Sequence, residues 1–303
     1  MSSEPDELYT LRNLFWLGNF QLAIKEANGM KKCPTHLQDE KNEYMYRSYA
    51  ALGQYDVVIS EVSDTEAPLN LRGVKLLALV LCGEADKDMA VLQIQEWLNA
   101  DNIGSSIATL QLLLAILHST EGGAAGANIS EAIKCVHTGA TMEQMAMSVQ
   151  LYIRLDRLDF AQKQLAKMKS VDEDSTLTCL ATGWCHLSAL PATKAQEAGY
   201  IFEELADKYG SSALLLNAQA VSKMHQQLWD EAETLLSDAM QKAPSDPETL
   251  ANLIVVGQHL GLEVDVTKRY LNQLKKVAPQ HQLVSMLNVF EGAFDRVGRT
   301  LAV

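Results

Sequence analysis

A pattern of residue types recurs along this chain about every 34 positions, and this repeat restricts the possible folds more than any other feature. In the last third, an aromatic residue is followed by a small residue, a large apolar residue and a second alanine, at Trp229, Ala232, Leu236 and Ala239. The small position occurs again at Ala198, which lies 34 residues before Ala232. A period of this length is typical of chains built from stacked helix pairs.

Further copies extend the pattern toward both ends of the chain. Ala23 and Val58 occupy small-residue positions 35 residues apart, Ala161 gives another copy, and a last copy covers 247–279. The residue types match the second helix of a tetratricopeptide repeat, in which small side chains allow two helices to approach closely. We therefore predict an all-α, tetratricopeptide-like right-handed α-solenoid of antiparallel helix pairs, with residues 1–303 forming a single domain.

The middle of the chain is less regular. Apolar periodicity predicts helices at about 67–82, 86–99, 105–119 and 128–138. Only Ala132 in this region occupies a clear small-residue position. The glycine-rich segment 121–127 lacks the Gly-Lys-Ser/Thr ending of a phosphate-binding loop and follows a predicted helix, so we interpret it as a flexible connection.

The ends of the predicted helices carry recognisable capping residues. Gly261 follows a first helix, where glycine adopts a left-handed backbone at least cost. A helix begins near residue 247, and the sequence leaves two explanations open. Either Ser245 and Glu248 form a capping box, or Asp246 caps a helix whose first turn contains Pro247.

Net charge restricts the class of partner. The chain carries 38 acidic and 25 basic residues, a formal net charge of −13. Binding to nucleic acid or to anionic lipid requires basic surface, so we expect a protein partner instead.

The longest apolar runs, such as Val74–Cys82 and Leu110–Leu117, are shorter than the roughly 20 residues that span a bilayer. With no signal sequence recognised, we expect a soluble, cytosolic chain.

The residues that could support catalysis do not form a recognisable site. The seven histidines never occur as a close pair, and the best metal-ligand candidates, Cys179, Cys185 and His186, match no zinc-binding spacing. No nucleophile-elbow or nucleotide-binding motif is present in the sequence. We therefore expect a non-catalytic protein that requires no cofactor and no metal.

The repeat pattern also predicts a partner-binding groove on the inner face of two first helices. Its residues are Leu214, Asn217, Val221, Met224, Thr249, Asn252 and Val256. Several of them are apolar, although Leu216, Ala220, Leu250 and Leu253 already supply the core of the fold. We expect the groove residues to be available to a ligand. The alternative is that the helices curve tightly enough for these side chains to pack on one another.

Specific blocks of sequence resemble a known family. The blocks are Leu11 to Ile24, Arg154 to Met168, Asp172 to Trp184, Leu214 to Ala220, Pro247 to Val255, Thr267 to Leu271 and Phe294 to Arg296. Together they resemble the epsilon subunits of coatomer, the coat of vesicles that move between the Golgi and the endoplasmic reticulum. The resemblance is weakest from about residue 64 to 128.

This resemblance implies a function for the chain. It implies a tetratricopeptide scaffold that binds the carboxy-terminal region of the coatomer alpha subunit and reaches the other coat subunits through the complex. The chain would be cytoplasmic and peripheral on Golgi membranes and coated vesicles, and it would contact membrane only indirectly. The family contributes no catalytic residues.

Two other classes of function remain open. A co-chaperone that captures carboxy-terminal peptides would need Lys, Arg and Asn on the inner face, which is too apolar in the clearest repeats. An enzyme built on a helical-repeat scaffold, such as a lipid transferase, would need a site that the sequence does not reveal.

Overall fold

The computed structural model describes residues 6–30, 33–100, 103–120, 127–189 and 192–301. In these ranges the chain forms α-helices and two short 3₁₀ turns, with no strand. The helices are α1 (Tyr9–Trp16), α2 (Phe20–Gly29), α3 (Gln38–Ala51), α4 (Tyr55–Glu61), α5 (Leu69–Cys82), α6 (Lys87–Leu98), α7 (Ile107–Ser119), α8 (Ile129–Val136), α9 (Met142–Arg154), α10 (Leu158–Val171), α11 (Thr176–Leu187), α12 (Ala192–Tyr209), α13 (Ala213–His225), α14 (Trp229–Lys242), α15 (Pro247–Leu260), α16 (Val264–Val277) and α17 (Gln282–Leu301). The all-α prediction is confirmed.

Local capping chemistry sets the ends of these helices. Asp246 caps α15, because its carboxylate accepts the backbone N–H of Thr249 at 2.8 Å while Pro247 occupies the first turn. This decides between the two explanations that the sequence left open. Gly261 ends the same helix with φ +67°, in the left-handed region that glycine adopts without strain.

The predicted small-residue positions lie at helix–helix contacts. Ala132, Ala161, Ala198 and Ala232 are all fully buried. At Gly199, the residue after Ala198, an added Cβ atom would lie 2.6 Å from the Ser222 hydroxyl oxygen. The Ser222 hydroxyl of α13 therefore occupies the space that a side chain at this position of α12 would need.

In the irregular middle of the chain, the observed helices agree with the predicted ones. α5, α6, α7 and α8 lie within one to two residues of the predicted bounds, and Asn128 starts α8 by accepting the N–H of Glu131 at 3.2 Å. The predicted 121–127 connection falls almost entirely outside the described residues, which resume at 127.

The chain divides into two compact units, Met1–Ala189 and Leu190–Val303. In the first unit, the helices of odd number from α1 to α11 contact one another in succession, and α1 also contacts α11. Of these, α1, α3, α5, α7 and α9 are each followed along the chain by a helix that packs against them as the second helix of a pair. The prediction that residues 1–303 form one continuous domain stays a prediction.

The second unit is built in the same way around two adjacent apolar clusters. One contains Ala220, Ala232, Leu236, Leu253 and Val256, and joins α13, α14 and α15. The other contains Leu250, Ala251, Ile254, Leu274 and Val284, and joins α15, α16 and the start of α17. Leu216, Ala220, Leu250 and Leu253 are buried, as the sequence predicts for core positions.

Candidate partner-binding face

The seven predicted groove residues lie on α13 and α15, which contact each other directly. Their exposure is uneven. Leu214 is 41% exposed, whereas Val221, Met224 and Asn252 are half-buried. Asn217, Thr249 and Val256 are buried. The structure therefore brings the seven residues onto neighbouring helices but leaves only some of them accessible.

The polar members form a chain of hydrogen bonds between the two helices. The Thr249 hydroxyl donates to the Asp246 carboxylate at 2.6 Å and accepts from the Asn217 side-chain amide, also at 2.6 Å. The Asn252 amide donates to Asn217 Oδ1 at 3.0 Å. We call these four residues the amide ladder. Because its buried members satisfy one another, the ladder fixes the position of α13 against α15.

Val256 differs from the prediction. We expected it to be available to a ligand, but it is completely buried beside Ala232 and Leu236 of α14. The reason is its angular position on the helix. Val256 is four residues from Asn252 but only three from the core residue Leu253, so it lies between the two faces, and α14 covers it. The expectation that the Val256 side chain is accessible is therefore wrong, while its role in partner binding stays a prediction.

The accessible part of the face is a short apolar strip on α13. Leu214 and Val221 lie two helical turns apart and Met224 follows Val221 by three residues, so all three share one side of the helix. We call these residues the α13 strip. None of the seven predicted residues is cationic, so the face does not offer the charge that would hold a terminal carboxylate.

A separate cavity of about 320 Å³ lies among α12, α13 and α14. Its polar lining includes Gln196, Gln219 and Gln226, and an ion pair between Lys223 and Glu231 with 2.6 Å between nitrogen and oxygen. The lining also contains hydroxyl groups, but Ser222 donates to the Ala195 carbonyl oxygen at 2.6 Å and Thr234 to that of Asp230 at 3.0 Å, so neither donates to a base. The sequence pattern did not indicate this cavity, because its residues come from three helices.

The first unit contains a buried charge cluster that the sequence analysis missed. Arg47 lies 3.2 Å from a Glu43 oxygen and 3.0 Å from a Glu143 oxygen, and the Trp16 indole N–H donates to Glu143 at 2.7 Å. Asn70 and Thr109 donate to the other Glu43 oxygen at 3.0 and 2.9 Å. These six side chains, the first-unit charge cluster, come from α1, α3, α5, α7 and α9. The only sequence signal is the spacing of four between Glu43 and Arg47.

Burial changes the titration of this cluster. Removal from water raises the pKa of the Glu43 carboxyl above its ordinary value, and the nearby Arg47 guanidinium opposes that change. Arg47 also stacks over the Phe15 ring, with 4.6 Å between the guanidinium carbon and the ring centroid. The cluster therefore joins first helices of the first unit, and burial within it changes the pKa of Glu43.

The metal-ligand candidates Cys179, Cys185 and His186 all lie on α11. Cys185 is buried in α11, and burial raises the pKa of its thiol to about 11. Across the described ranges, no three His, Cys, Asp or Glu side chains come together in a way that could hold a metal ion. In the same part of the chain, no helix has the length and apolar composition needed to cross a bilayer.

Sequence comparison matches nearly the whole chain to one family. A family profile described as coatomer epsilon subunit matches residues 4–302. Coatomer subunit epsilon-1 of Oryza sativa subsp. japonica is 42% identical over 300 residues, covering 99% of this chain and 100% of that protein. Coatomer subunit epsilon-2 of Arabidopsis thaliana is 40% identical over 302 residues, covering 100% and 99%. Coatomer subunit epsilon of Dictyostelium discoideum is 31% identical over 298 residues, covering 96% and 97%.

Structural comparison supports the fold. A chain in the crystal structure of the APC/C hetero-tetramer Cut9-Hcn1 is similar with a TM-score of 0.58 at 12% identity, covering 90% of this chain and 53% of that chain. A tetratricopeptide repeat protein from Parabacteroides merdae is similar with a TM-score of 0.52, also at 12% identity, covering 93% and 96%. At such low identity these similarities concern the fold alone, and they confirm the tetratricopeptide-like prediction.

Proposed function

This chain belongs to the coatomer epsilon subunit family, and from that premise we propose that α13 and α15 bind the carboxy-terminal region of the coatomer alpha subunit. The chain is a non-catalytic scaffold subunit of the coatomer coat. In that role it supports vesicle transport between Golgi and endoplasmic reticulum. It acts in the cytoplasm at the periphery of Golgi membranes and coated vesicles, and it reaches the membrane only through the rest of the coat.

The accessible α13 strip is the observation that carries the proposed binding face. Leu214, Val221 and Met224 place apolar surface on one side of a first helix, where it can be removed from water by a bound polypeptide. Burial of such surface contributes about 25 cal/mol per Å², and a few central apolar anchors usually provide most of the binding energy.

The amide ladder supports the same proposal by making the face rigid. Hydrogen bonds from Asn217 to Thr249 and from Asn252 to Asn217 hold α13 and α15 together before any partner arrives. A preformed face loses less conformational entropy on binding than a flexible one, so more of the contact energy appears as affinity.

The net charge is consistent with a polypeptide ligand. With a net charge of −13, the chain is repelled by phosphate groups of nucleic acids and by anionic headgroups. Its acidic surface favours a partner with a basic balance and increases the rate at which such a partner associates.

The test combines Leu214→Arg with Val221→Arg and measures capture of the purified alpha-subunit carboxy-terminal region. We expect capture to weaken by about tenfold or more, because charged groups replace the apolar anchors. Leu155→Arg is the matched control, since Leu155 is also 41% exposed but lies outside α13 and α15. Val256→Arg is unsuitable, because a buried arginine at that position would unfold the second unit.

Thermal unfolding is measured for each variant beside capture. Loss of capture with unchanged unfolding temperature supports the binding face. Undiminished capture by the double variant contradicts it, as does an equal loss in Leu155→Arg.

A further inference from the structure

The cavity among α12, α13 and α14 lies away from the proposed binding face. Gln219 lines this cavity, whereas Val221 belongs to the α13 strip. An α-helix turns by about 100° per residue, so these two side chains leave the helix in directions about 200° apart. The cavity therefore lies on the opposite side of α13 from the strip, and we call it the α12–α14 cavity.

Most of the polar groups around this cavity are satisfied within the protein. The Gln226 side-chain amide donates to the Ser222 carbonyl oxygen at 3.1 Å, and the Ser222 hydroxyl donates to the Ala195 carbonyl oxygen at 2.6 Å. The Lys223 ammonium group pairs with the Glu231 carboxylate at 2.6 Å. These donors are therefore already engaged in contacts within the chain.

Two polar side chains of the lining stay available to a ligand. In the part of the chain that the structure describes, the exposed Glu203 forms no ion pair and the half-buried Gln219 carboxamide forms no hydrogen bond. Glu203 and Glu231 contribute two carboxylates to the lining against the one ammonium group of Lys223, so one negative charge is in excess. This lining suits a cation that donates hydrogen bonds.

Antiparallel packing brings Glu203 and Gln219 to the same level of the cavity. α12 and α13 are joined by the short segment 210–212, so they run in opposite directions. Gly199 lies level with Ser222, because a Cβ atom added at Gly199 would lie 2.6 Å from the Ser222 hydroxyl oxygen. Glu203 follows Gly199 by four residues, and Gln219 precedes Ser222 by three. One ligand group can therefore reach both side chains.

Tyr200 adds an aromatic ring beside this pair. It lines the cavity, is 60% exposed and precedes Glu203 by three residues, so both lie on the same side of α12. The Tyr200 hydroxyl accepts a hydrogen bond from the Gln196 amide at 2.9 Å, which restrains the ring. The face of an aromatic ring attracts a cation.

Size and geometry select the kind of cation. Ligand pockets usually enclose about 300 to 1,000 Å³, so a cavity of about 320 Å³ suits one side chain and not a nucleotide-sized cofactor. A guanidinium group carries five donors in a planar fork, which matches a carboxylate and stacks on aromatic rings. An ammonium group is more strongly hydrated and lacks the fork. The lining therefore fits arginine better than lysine.

We propose that the α12–α14 cavity binds an arginine side chain of a partner protein, whose guanidinium group donates to Glu203 and Gln219 and stacks on Tyr200. Because Glu203 and Tyr200 are exposed, the backbone that carries this arginine stays outside the cavity, as in a contact between two protein surfaces. The inference goes beyond the proposed function and does not depend on it.

The experiment titrates the full, isotope-labelled chain with the peptide acetyl-Gly-Arg-Gly-amide and follows the backbone NMR signals of the chain. We expect saturable shifts for residues around the cavity, including Gly199 and Gln219. Two matched peptides carry lysine or the neutral arginine analogue citrulline in the central position. The lysine peptide should bind more weakly because it lacks the planar fork, and the citrulline peptide should not bind because it lacks the charge.

Glu203→Gln should weaken binding of the arginine peptide by about tenfold or more, because it removes the charged acceptor. Glu204→Gln is the matched control, since Glu204 is also exposed on α12 but does not line the cavity. Both replacements change the net charge of the chain equally. Thermal unfolding of each variant is measured beside binding. If Glu203→Gln lowers the unfolding temperature, the comparison of the three peptides on the unmodified chain decides the question.

Several results would overturn the inference. They are the absence of saturable binding by the arginine peptide, equal binding by the citrulline peptide, and equal losses in Glu203→Gln and Glu204→Gln. Equal binding by the lysine peptide would also overturn it, because a general attraction of cations to a chain with a net charge of −13 would then explain the result.

The two proposed surfaces can fail separately. Leu214→Arg with Val221→Arg should leave binding of the arginine peptide unchanged, because both residues lie on the other side of α13. If the unmodified chain binds the arginine peptide at the cavity but does not capture the alpha-subunit region, the proposed function fails and the inference stands. If it captures the alpha-subunit region but does not bind the arginine peptide, the inference fails and the proposed function stands.

Discussion

The first helices of the two units use their polar residues differently. In the first unit, three ionisable side chains meet, of which Glu43 and Arg47 are buried and Glu143 is half-buried. In the second unit, α13 and α15 are joined by an amide ladder with one carboxylate, Asp246, and an apolar strip beside it stays accessible.

The difference shows that the same helical repeat can join its first helices in two ways, by ionic contacts or by mainly neutral hydrogen bonds. Where five first helices of the first unit meet, the charge cluster connects residues that are far apart in sequence. Its polar side chains bind one another. Where two first helices meet, mainly neutral side chains hydrogen-bond them together, and some apolar side chains stay accessible. The following predictions test this contrast, beginning with the largest expected effect.

Arg47→Met should destabilise the first unit most, by about 3 to 5 kcal/mol, because it leaves the buried Glu43 carboxylate and the half-buried Glu143 carboxylate without their cation. Urea unfolding measures the change in free energy. Arg157→Met is the control, since Arg157 forms a similar pair with Asp159 on an exposed surface, where no measurable loss is expected. Equal effects for the two variants would contradict the importance of the charge cluster.

Ala232→Trp and Ala161→Trp should each cost about 1 to 3 kcal/mol, occasionally more, because both alanines lie at fully buried helix contacts, one in each unit. Similar losses are expected, since helix pairing is common to both units even though their inner faces differ. An unchanged unfolding temperature in either variant would show that the repeat register there is wrong.

Asn217→Ala should cost about 1 to 3 kcal/mol, less than Arg47→Met, because it leaves Thr249 and Asn252 without a neutral partner. Gln219→Ala is a control on the same helix, outside the ladder. If Asn217→Ala lowered the free energy of unfolding as much as Arg47→Met does, the amide ladder and the charge cluster would not differ in strength as predicted.

The smallest effect concerns pH. The folded-state pKa of Glu43 is raised above 4.5, so this group contributes stability that is complete below that pH and is lost as pH rises through the folded pKa. Relative to Glu43→Gln, the unmodified chain should therefore become less stable as pH increases in that window. Asn217→Ala should leave this dependence unchanged. A difference between Glu43→Gln and the unmodified chain that does not vary with pH would contradict the prediction.

Much of the fold could be predicted because its signals are short-range. Asp246 and Pro247 mark a helix start within two adjacent residues, and Ala198 and Ala232 reveal the period directly. The candidate site was predicted less well. Asn217, Thr249 and Asn252 were assigned correctly to neighbouring helices, but their hydrogen bonds to one another could not be seen in the sequence.

By itself, the sequence determined the helices, their ends, the small-residue contacts and the family, because each depends on residues within about one repeat. Only the tertiary structure decided which side chains are buried on the inner faces. Glu143 meets Arg47 across 96 residues of chain, and Val256 enters the core through the way α14 packs on α15. Such contacts depend on the relative placement of several helices, which a one-dimensional pattern does not contain.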